Sequence, residues 1–217
     1  MLKADFHMHY GKERFHDTGY SAKQLIDHCA SLGYKVMALT RHDEFSDPRL
    51  VSYAKKKGIL LILGIEATVE GFHVLVLNVR KGDRLKTFDD IRRLKRKKDI
   101  LVIAPHPYFP SDICLKSKLA DNIDVFDAVE YSHFYTYLVN FNRKAMKIAV
   151  KYGKPIVGTS DCHQLYQIGY TYTVLECRKN LKDVLDAVRK GKGGVVSVPF
   201  PVPKMIRLLW WMFFKKK

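Results

Sequence analysis

The sequence predicts an α/β protein with a mostly parallel sheet. Short apolar, β-branched runs alternate with stretches of helical periodicity along nearly the whole chain. Glycine follows several of those helical stretches, at Gly33, Gly58 and Gly153, where a helix stop leads into the next strand. The chain has 217 residues, 47% hydrophobic and 28% charged, which suits one domain with a continuous core and excludes a disordered chain or a membrane bundle.

The elements follow in order. Candidate strands read 3–7, 36–40, 60–65, 73–77, 100–104, 128–130, 155–159 and 172–175. Between them, Leu25, Cys29 and Leu32 mark one helical face, Phe88, Ile91 and Leu94 a second, and Ala145, Ile148 and Ala149 a third. No repeat and no Pro/Ser-rich linker divides the chain, so one domain is expected over 1–198, followed by a tail over 199–217. In that tail the alternate prolines Pro199, Pro201 and Pro203 argue against helix. The run from Lys204 to Lys217 is aromatic and basic, and reads as a short helix docked on the domain or as an interfacial helix touching an anionic membrane.

Charge is the unusual bulk feature. Lys and Arg total 38 against 22 Asp and Glu, a formal net charge of +16, which favours phosphate-bearing partners, nucleic acid or an anionic surface. The cluster Arg92–Lys98 ends a predicted helix and reads as a solvated basic face, because no aromatic residues are interleaved with its charges. Cys29, Cys114, Cys162 and Cys177 have neither metal-finger nor disulfide-scaffold spacing, so a reducing, cytoplasmic setting is expected, with peripheral membrane contact as the variant the tail allows. The longest uninterrupted apolar run, Leu208–Phe214, is far too short to span a bilayer.

The chemistry is written at the strand ends. Of the nine histidines, His7 and His9 close the first strand, His42 follows the second, His73 opens the fourth, and His106 and His163 follow later ones; Glu66 and Asp161 take equivalent places. In a parallel β/α barrel the strand C-termini open on one face, so these distant residues converge there. Alternation puts His7 and His9 on one side with Met8 opposite, and Asp161 and His163 on one side with Cys162 pointing away. Imidazole and carboxylate without thiolate suit zinc, manganese or iron, and a carboxylate such as Glu66 can bridge two ions.

In combination, Asp5-Phe6-His7-Met8-His9, Thr40-Arg41-His42-Asp43, Gly64-Ile65-Glu66, Phe72-His73-Val74-Leu75, Ala104-Pro105-His106-Pro107 and Ser160-Asp161-Cys162-His163 resemble the signature of the PHP superfamily, named for polymerase and histidinol phosphatase. The resemblance runs from about residue 5 to residue 165. It implies a distorted (β/α)7 barrel with a two- or three-metal site that hydrolyses phosphoesters through a hydroxide bridging the metals. By the same resemblance His7, His9, Glu66 and Asp161 hold one ion, Glu66 bridges to a second held by His73 and His106, and His42 and His163 serve a third. The remaining ligand of that third ion is Asp17, preferred for its spacing from the first helix, or His16.

Arg41 departs from the family pattern, a cation where acidic or polar residues are usual. It is expected to contact a substrate phosphate or to turn outward. Lys12 and Arg14 are phosphate contacts or ordinary surface cations. Asp5 and Asp43 are candidates to orient ligand histidines, Glu130 is expected near the site or in a structural role, and His28 and His133 are expected in packing. The expected partner is a phosphorylated small molecule or nucleotide. The alternatives are a PHP-type nuclease acting on nucleic-acid ends, or an RNA-binding barrel like the protein subunit of archaeal ribonuclease P, which shares the basic charge but does not need the metal residues.

Overall fold

The computed structural model describes residues 1–13 and 16–214, with side chains through Met212. Its centre is one sheet in the order β7-β6-β5-β4-β3-β2-β1-β8-β9, curled into a nearly closed barrel. Strands β1 (Leu2–Asp5), β2 (Val36–Leu39) and β3 (Leu60–Val69) run parallel, as do β5 (Leu101–Ala104), β6 (Ala128–Ser132) and β7 (Ile156–Thr159). Between the two sets, β4 (Phe72–Leu77) is antiparallel to both neighbours. Beyond β1, β8 (Thr171–Leu175) and β9 (Gly193–Ser197) are also antiparallel.

Half of the eight strand pairings are therefore antiparallel, where the sequence pattern predicts a mostly parallel sheet. The reason is local. Strand β3 runs on to Val69 and turns back through Glu70-Gly71, both at positive φ, leaving no room for a crossover helix before β4. Strand β9 is not foreseen at all, because Gly193-Gly194-Val195-Val196-Ser197 carries two glycines and only a short β-branched run.

The barrel closes through a side chain. Thr173 Oγ1 on β8 accepts from Gly158 N–H and donates to the Gly158 carbonyl on β7, both at 2.9 Å. A Cβ on Gly158 would meet Val195 Cγ1 at 2.7 Å and the Tyr172 carbonyl oxygen at 2.8 Å, so only glycine lets the strands approach here.

Inward-facing Ala4, Phe6, Val36, Ala38, Ile62 and Leu75 form the barrel core, joined by Val184, Leu185 and Val188 of α6 (Leu181–Arg189). Outside, α1 (Ala22–Ser31) and α2 (Arg49–Lys56) cover β1–β3. Helices α3 (Phe88–Lys95), α4 (Lys118–Asp121) and α5 (Asn142–Lys151) pack on the outer face of β3–β7. Ser21 and Gln24 form a capping box at α1, and Thr87 and Asp90 form one at α3, which fixes where both helices begin.

The tail does form a helix, α7 (Val202–Phe214). Pro203 falls in its first turn, where a missing backbone N–H costs no helical hydrogen bond. Phe200, Met205 and Leu208 are buried, packed with Phe134, Tyr166, Tyr170 and Trp211, so the tail docks on the barrel. Among the described residues no helix is long and apolar enough to cross a membrane.

Candidate metal centre

The first and last motifs are laced together before any ligand is placed. Beyond β1 the chain continues as a bridge between Met8 and Cys162, with His9 N–H donating to the Cys162 carbonyl at 3.2 Å. Met8 and Cys162 both turn into the outer core between the sheet and α1, which leaves His7, His9, Asp161 and His163 facing the barrel mouth. A second bridge pairs His42 with Glu66. His73 reaches the same mouth because β4 is antiparallel, so its first residues stand at the level of the C-terminal ends of its neighbours. His106 and Asp161 sit at positive φ, 27° and 43°, a backbone geometry costly to non-glycine residues and concentrated at functional sites.

Glu66 is the hub. Its Oε2 lies 3.0 Å from His42 Nε2, 3.2 Å from His7 Nε2 and 3.3 Å from His9 Nε2. Its Oε1 lies 2.7 Å from His73 Nδ1 and 3.1 Å from His106 Nε2. Across the cavity Asp161 Oδ1 stands 3.3 Å from His7 Nε2 and 3.4 Å from His9 Nε2. The donors group as His7/His9/Glu66, His7/His106/Asp161, His42/Glu66/His73 and His9/His42/His163.

Five of these atoms are buried with no hydrogen bond: His7 Nε2, His9 Nε2, Glu66 Oε2, Asp161 Oδ1 and His163 Nε2. Stranded buried polar atoms are costly, and here each belongs to one or more of these overlapping donor groups. Two donors each about 2.1 Å from a shared ion, at tetrahedral to octahedral angles, stand roughly 3.0–3.4 Å apart, which is the spacing these residues show. The donor set fits a divalent cation.

The opposite ring nitrogens are held by carboxylates. Glu130 accepts from His7 Nδ1 at 2.8 Å, and its other oxygen accepts from the His106 backbone N–H. Glu13 lies within 3.2 Å of His9 Nδ1 and accepts from His42 Nδ1 at 2.5 Å and from the His42 backbone N–H at 3.1 Å. Such contacts fix the tautomer that leaves Nε2 free for a metal. Glu13 is not foreseen from the sequence, because it lies in an irregular loop with no spacing signal. Cys114, whose Sγ is 3.3 Å from His106 Nδ1, is likewise not foreseen.

Charge balance keeps the carboxylates ionised. Burial pushes Glu66 upward, but His73, His7 and His42 outweigh it and hold its carboxyl well below the usual range. Asp161 is held down likewise, by His7 and His9 against burial. Burial and the neighbouring His9 push His163 well below the ordinary imidazole value, so that ring is neutral and its lone pair is available.

Not every predicted residue joins the cluster. Asp17 does not join the cluster: it is exposed, and its Oδ1 accepts from Gly19 N–H at 2.9 Å. The bridge between Lys12 and Asp17 turns the Asp17 side chain away and brings His16 in, with its ring 4.8 Å from that of His163. Arg41 stands behind the cluster: its side chain is only 15% exposed, with Nε 3.7 Å from Glu13 Oε1. It pairs with Glu44 at 2.7 Å, donates to the Lys12 carbonyl and lies over the Tyr10 ring, and it does not line the cavity. Asp5 and Asp43 orient backbone rather than imidazole: Asp5 accepts from the N–H groups of His7 and Ser160, and Asp43 from Thr68. Lys12 is exposed, and Arg14 lies outside the described residues. His133 packs on Phe134 and Phe200, and the Gln167 amide is 3.0 Å from its Nε2.

The PHP-associated family matches residues 139–192. No curated protein sequence matches the chain. A two-domain protein of Bacteroides vulgatus containing a predicted PHP-like metal-dependent phosphoesterase has a similar structure, with a TM-score of 0.68 and 20% identity over 99% of this chain and 69% of its own. The lesion-specific endonuclease Q of Pyrococcus furiosus is similar at TM-score 0.60 and 13% identity, over 96% of this chain and 66% of its own. A complex of endonuclease Q with a 27-mer duplex carrying an abasic lesion at the active site is similar at TM-score 0.56 and 13% identity, over 96% of this chain and 67% of that one. The resemblance carried by the sequence motifs is thus matched by a PHP-type barrel and a PHP-associated segment.

Proposed function

From this PHP-type fold we propose that the chain is a metal-dependent phosphoesterase, a hydrolase of phosphoric ester bonds. Its two or three divalent ions, zinc, manganese or iron, would be held by His7, His9, His42, Glu66, His73, His106, Asp161 and His163, with His16 rather than Asp17 completing the set. The observation that carries this reading is the convergence of the five buried polar atoms that lack hydrogen bonds. When bound, such ions acidify water and neutralise charge on phosphoryl oxygens.

The chain's own residues supply the rest. Glu13 and Glu130 present the Nε2 atoms of His9, His42 and His7 toward the cavity. The split of Glu66 between its two oxygens suits a carboxylate bridging adjacent ions. No Lys or Arg lines the cavity among the described residues, so substrate phosphate would be held by the metal centre and not by a cationic clamp.

The test is metal content measured beside hydrolysis, with manganese or zinc, of nucleoside monophosphates, sugar phosphates, histidinol phosphate and short oligonucleotides. His7→Ala and Asp161→Ala are expected to lose metal and activity together. A fully active, metal-free protein overturns the proposal.

A nuclease acting on nucleic-acid ends is the second reading, favoured by the likeness to endonuclease Q. The basic helix end lends it little support, since Arg92 pairs with Asp89 and Asp124, Arg93 with Asp90, Lys95 with Asp127 and Lys98 with Asp83. Steeply salt-dependent RNA binding without hydrolysis under any divalent metal would instead favour the RNA-binding barrel. A membrane role for the tail stays a lesser reading: α7 docks on the barrel through Met205 and Leu208 while Val202, Ile206 and Trp210 stay exposed, and Lys215–Lys217 lie outside the described residues.

A further inference from the structure

Beside the candidate metal centre lies a cavity of about 110 Å³, and its two sides differ in chemistry. One side is the imidazole and carboxylate cluster. The other includes Ser111 and Ser132 but is built mainly from Phe109, Ile113, Phe134 and Met212. These come from three separate segments: the loop after β5, the loop after β6, and α7. Phe109 and Phe134 meet edge to face with ring centroids 4.8 Å apart, and Phe141 supports Phe109 from behind at 5.5 Å. From α7, Trp211 lies 5.5 Å from the His16 ring and 6.2 Å from that of His163, so the helix narrows the mouth directly over the ligands.

We propose that this wall receives the alcohol part of the substrate and selects phosphate monoesters whose alcohol is apolar and about one aromatic ring in size. The proposal rests on the phosphoesterase reading. A phosphate on the metal cluster places its ester oxygen against a surface that has rings and a thioether but no cation among the described residues. A sugar or polyol there would find only Ser111 and Ser132 to replace the water that its several hydroxyls lose, whereas an aromatic or aliphatic group is desolvated at no such cost. The reaction consumes one water: its oxygen bonds to phosphorus as the ester P–O bond breaks. One of its protons ends on the alcohol and the other on the released phosphate. Met212 and Trp211 narrow the approach that a duplex would need, so a single end group is accepted more readily than continuous double-stranded nucleic acid.

Binding of phenylphosphonate and methylphosphonate, neither of which is hydrolysed, tests the wall without turnover. Calorimetry on the full chain loaded with manganese is expected to show phenylphosphonate binding about ten-fold or more tighter. Phe134→Ala is expected to cut that ratio to about a third or less. Met212→Ala, at the far end of α7, does the same in smaller measure and guards against a folding defect in the first variant. Leu138→Ala, 88% exposed on the loop after β6, leaves the ratio as in the unsubstituted protein. Hydrolysis of phenyl phosphate and glycerol phosphate follows the same order in kcat/KM.

Equal affinity for the two phosphonates, or a ratio indifferent to both Phe134→Ala and Met212→Ala, overturns the selectivity proposal while leaving the phosphoesterase reading intact. A chain that binds no divalent metal and hydrolyses none of these esters overturns that reading instead.

Discussion

The Glu13 carboxylate accepts from His42 Nδ1 at 2.5 Å and lies within 3.2 Å of His9 Nδ1, so one acidic residue orients two rings whose other nitrogens face the metal cavity. Burial works against a charge there, but the two imidazoles hold the Glu13 carboxyl well below its usual range, and it remains an acceptor. Glu13→Gln replaces one carboxylate oxygen with an NH2 group that cannot accept and removes the negative charge, so the single remaining oxygen cannot serve both rings as the carboxylate does. The expected result is a fall in metal affinity of about 10- to 100-fold, read by competition with a chromogenic chelator, with the fold unchanged by circular dichroism. Unaltered affinity would remove Glu13 from this role.

Protons and metal compete for the same nitrogens. In the metal-free site burial lowers the pKa of His7, but Asp161, Glu66 and Glu130 outweigh it and raise it to about 10; His9 and His106 are raised as well. These rings carry protons at neutral pH that an ion must displace. Metal binding is therefore expected to release protons, seen as a calorimetric enthalpy that varies with the ionisation enthalpy of the buffer, and to tighten as pH rises toward 10. Stability of the metal-free protein moves the other way. The His7 contribution is fully present below an unfolded imidazole value of about 6.5 and is lost as pH rises through about 10. Metal binding without proton release would contradict both expectations.

The two residues of the loop after the first motif separate cleanly. His16 lies against His163 and lines the cavity, while Asp17 caps Gly19 on the surface. His16→Ala is expected to lower metal stoichiometry or affinity, measured by elemental analysis after dialysis, and Asp17→Ala to leave both near the unsubstituted values. The reverse outcome would restore the aspartate as ligand.

Barrel closure makes a stability prediction. Gly158→Ala forces a methyl to within 2.7 Å of Val195 Cγ1 and 2.8 Å of the Tyr172 carbonyl oxygen. Overpacking of this kind costs about 1–3 kcal/mol, roughly 2–4 °C in Tm per kcal/mol for a chain of this size. Thermal unfolding followed by circular dichroism reads it, and an unchanged Tm would show that the seam can widen without cost.

Much of the candidate site was legible because imidazole and carboxylate side chains recur at the strand ends, where a barrel brings them together. His7, His9, His42, Glu66, His73, His106, Asp161 and His163 do meet in one cavity. The supporting residues were not legible, because Glu13 and Cys114 lie in loops where no periodicity says which way a side chain turns. Asp17 and His16 are adjacent in sequence, and only the Lys12–Asp17 bridge decides which of them faces inward. The antiparallel course of β4 escaped because only Glu70 and Gly71 separate it from β3, too little chain for a crossover, and strand β9 escaped because its two glycines and short β-branched run give no strand signal.

The sequence by itself determined the α/β class, the positions of eight of the nine described strands to within a few residues, and the chemistry of the candidate donor set, since these follow from local periodicity and side-chain type. Tertiary structure decided what lies around that set. It folded the tail back as α7, brought Phe134 and Met212 to one wall and kept Arg41 behind the cluster. Contacts between residues separated by a hundred positions are set by how the barrel closes, and no short-range pattern encodes them.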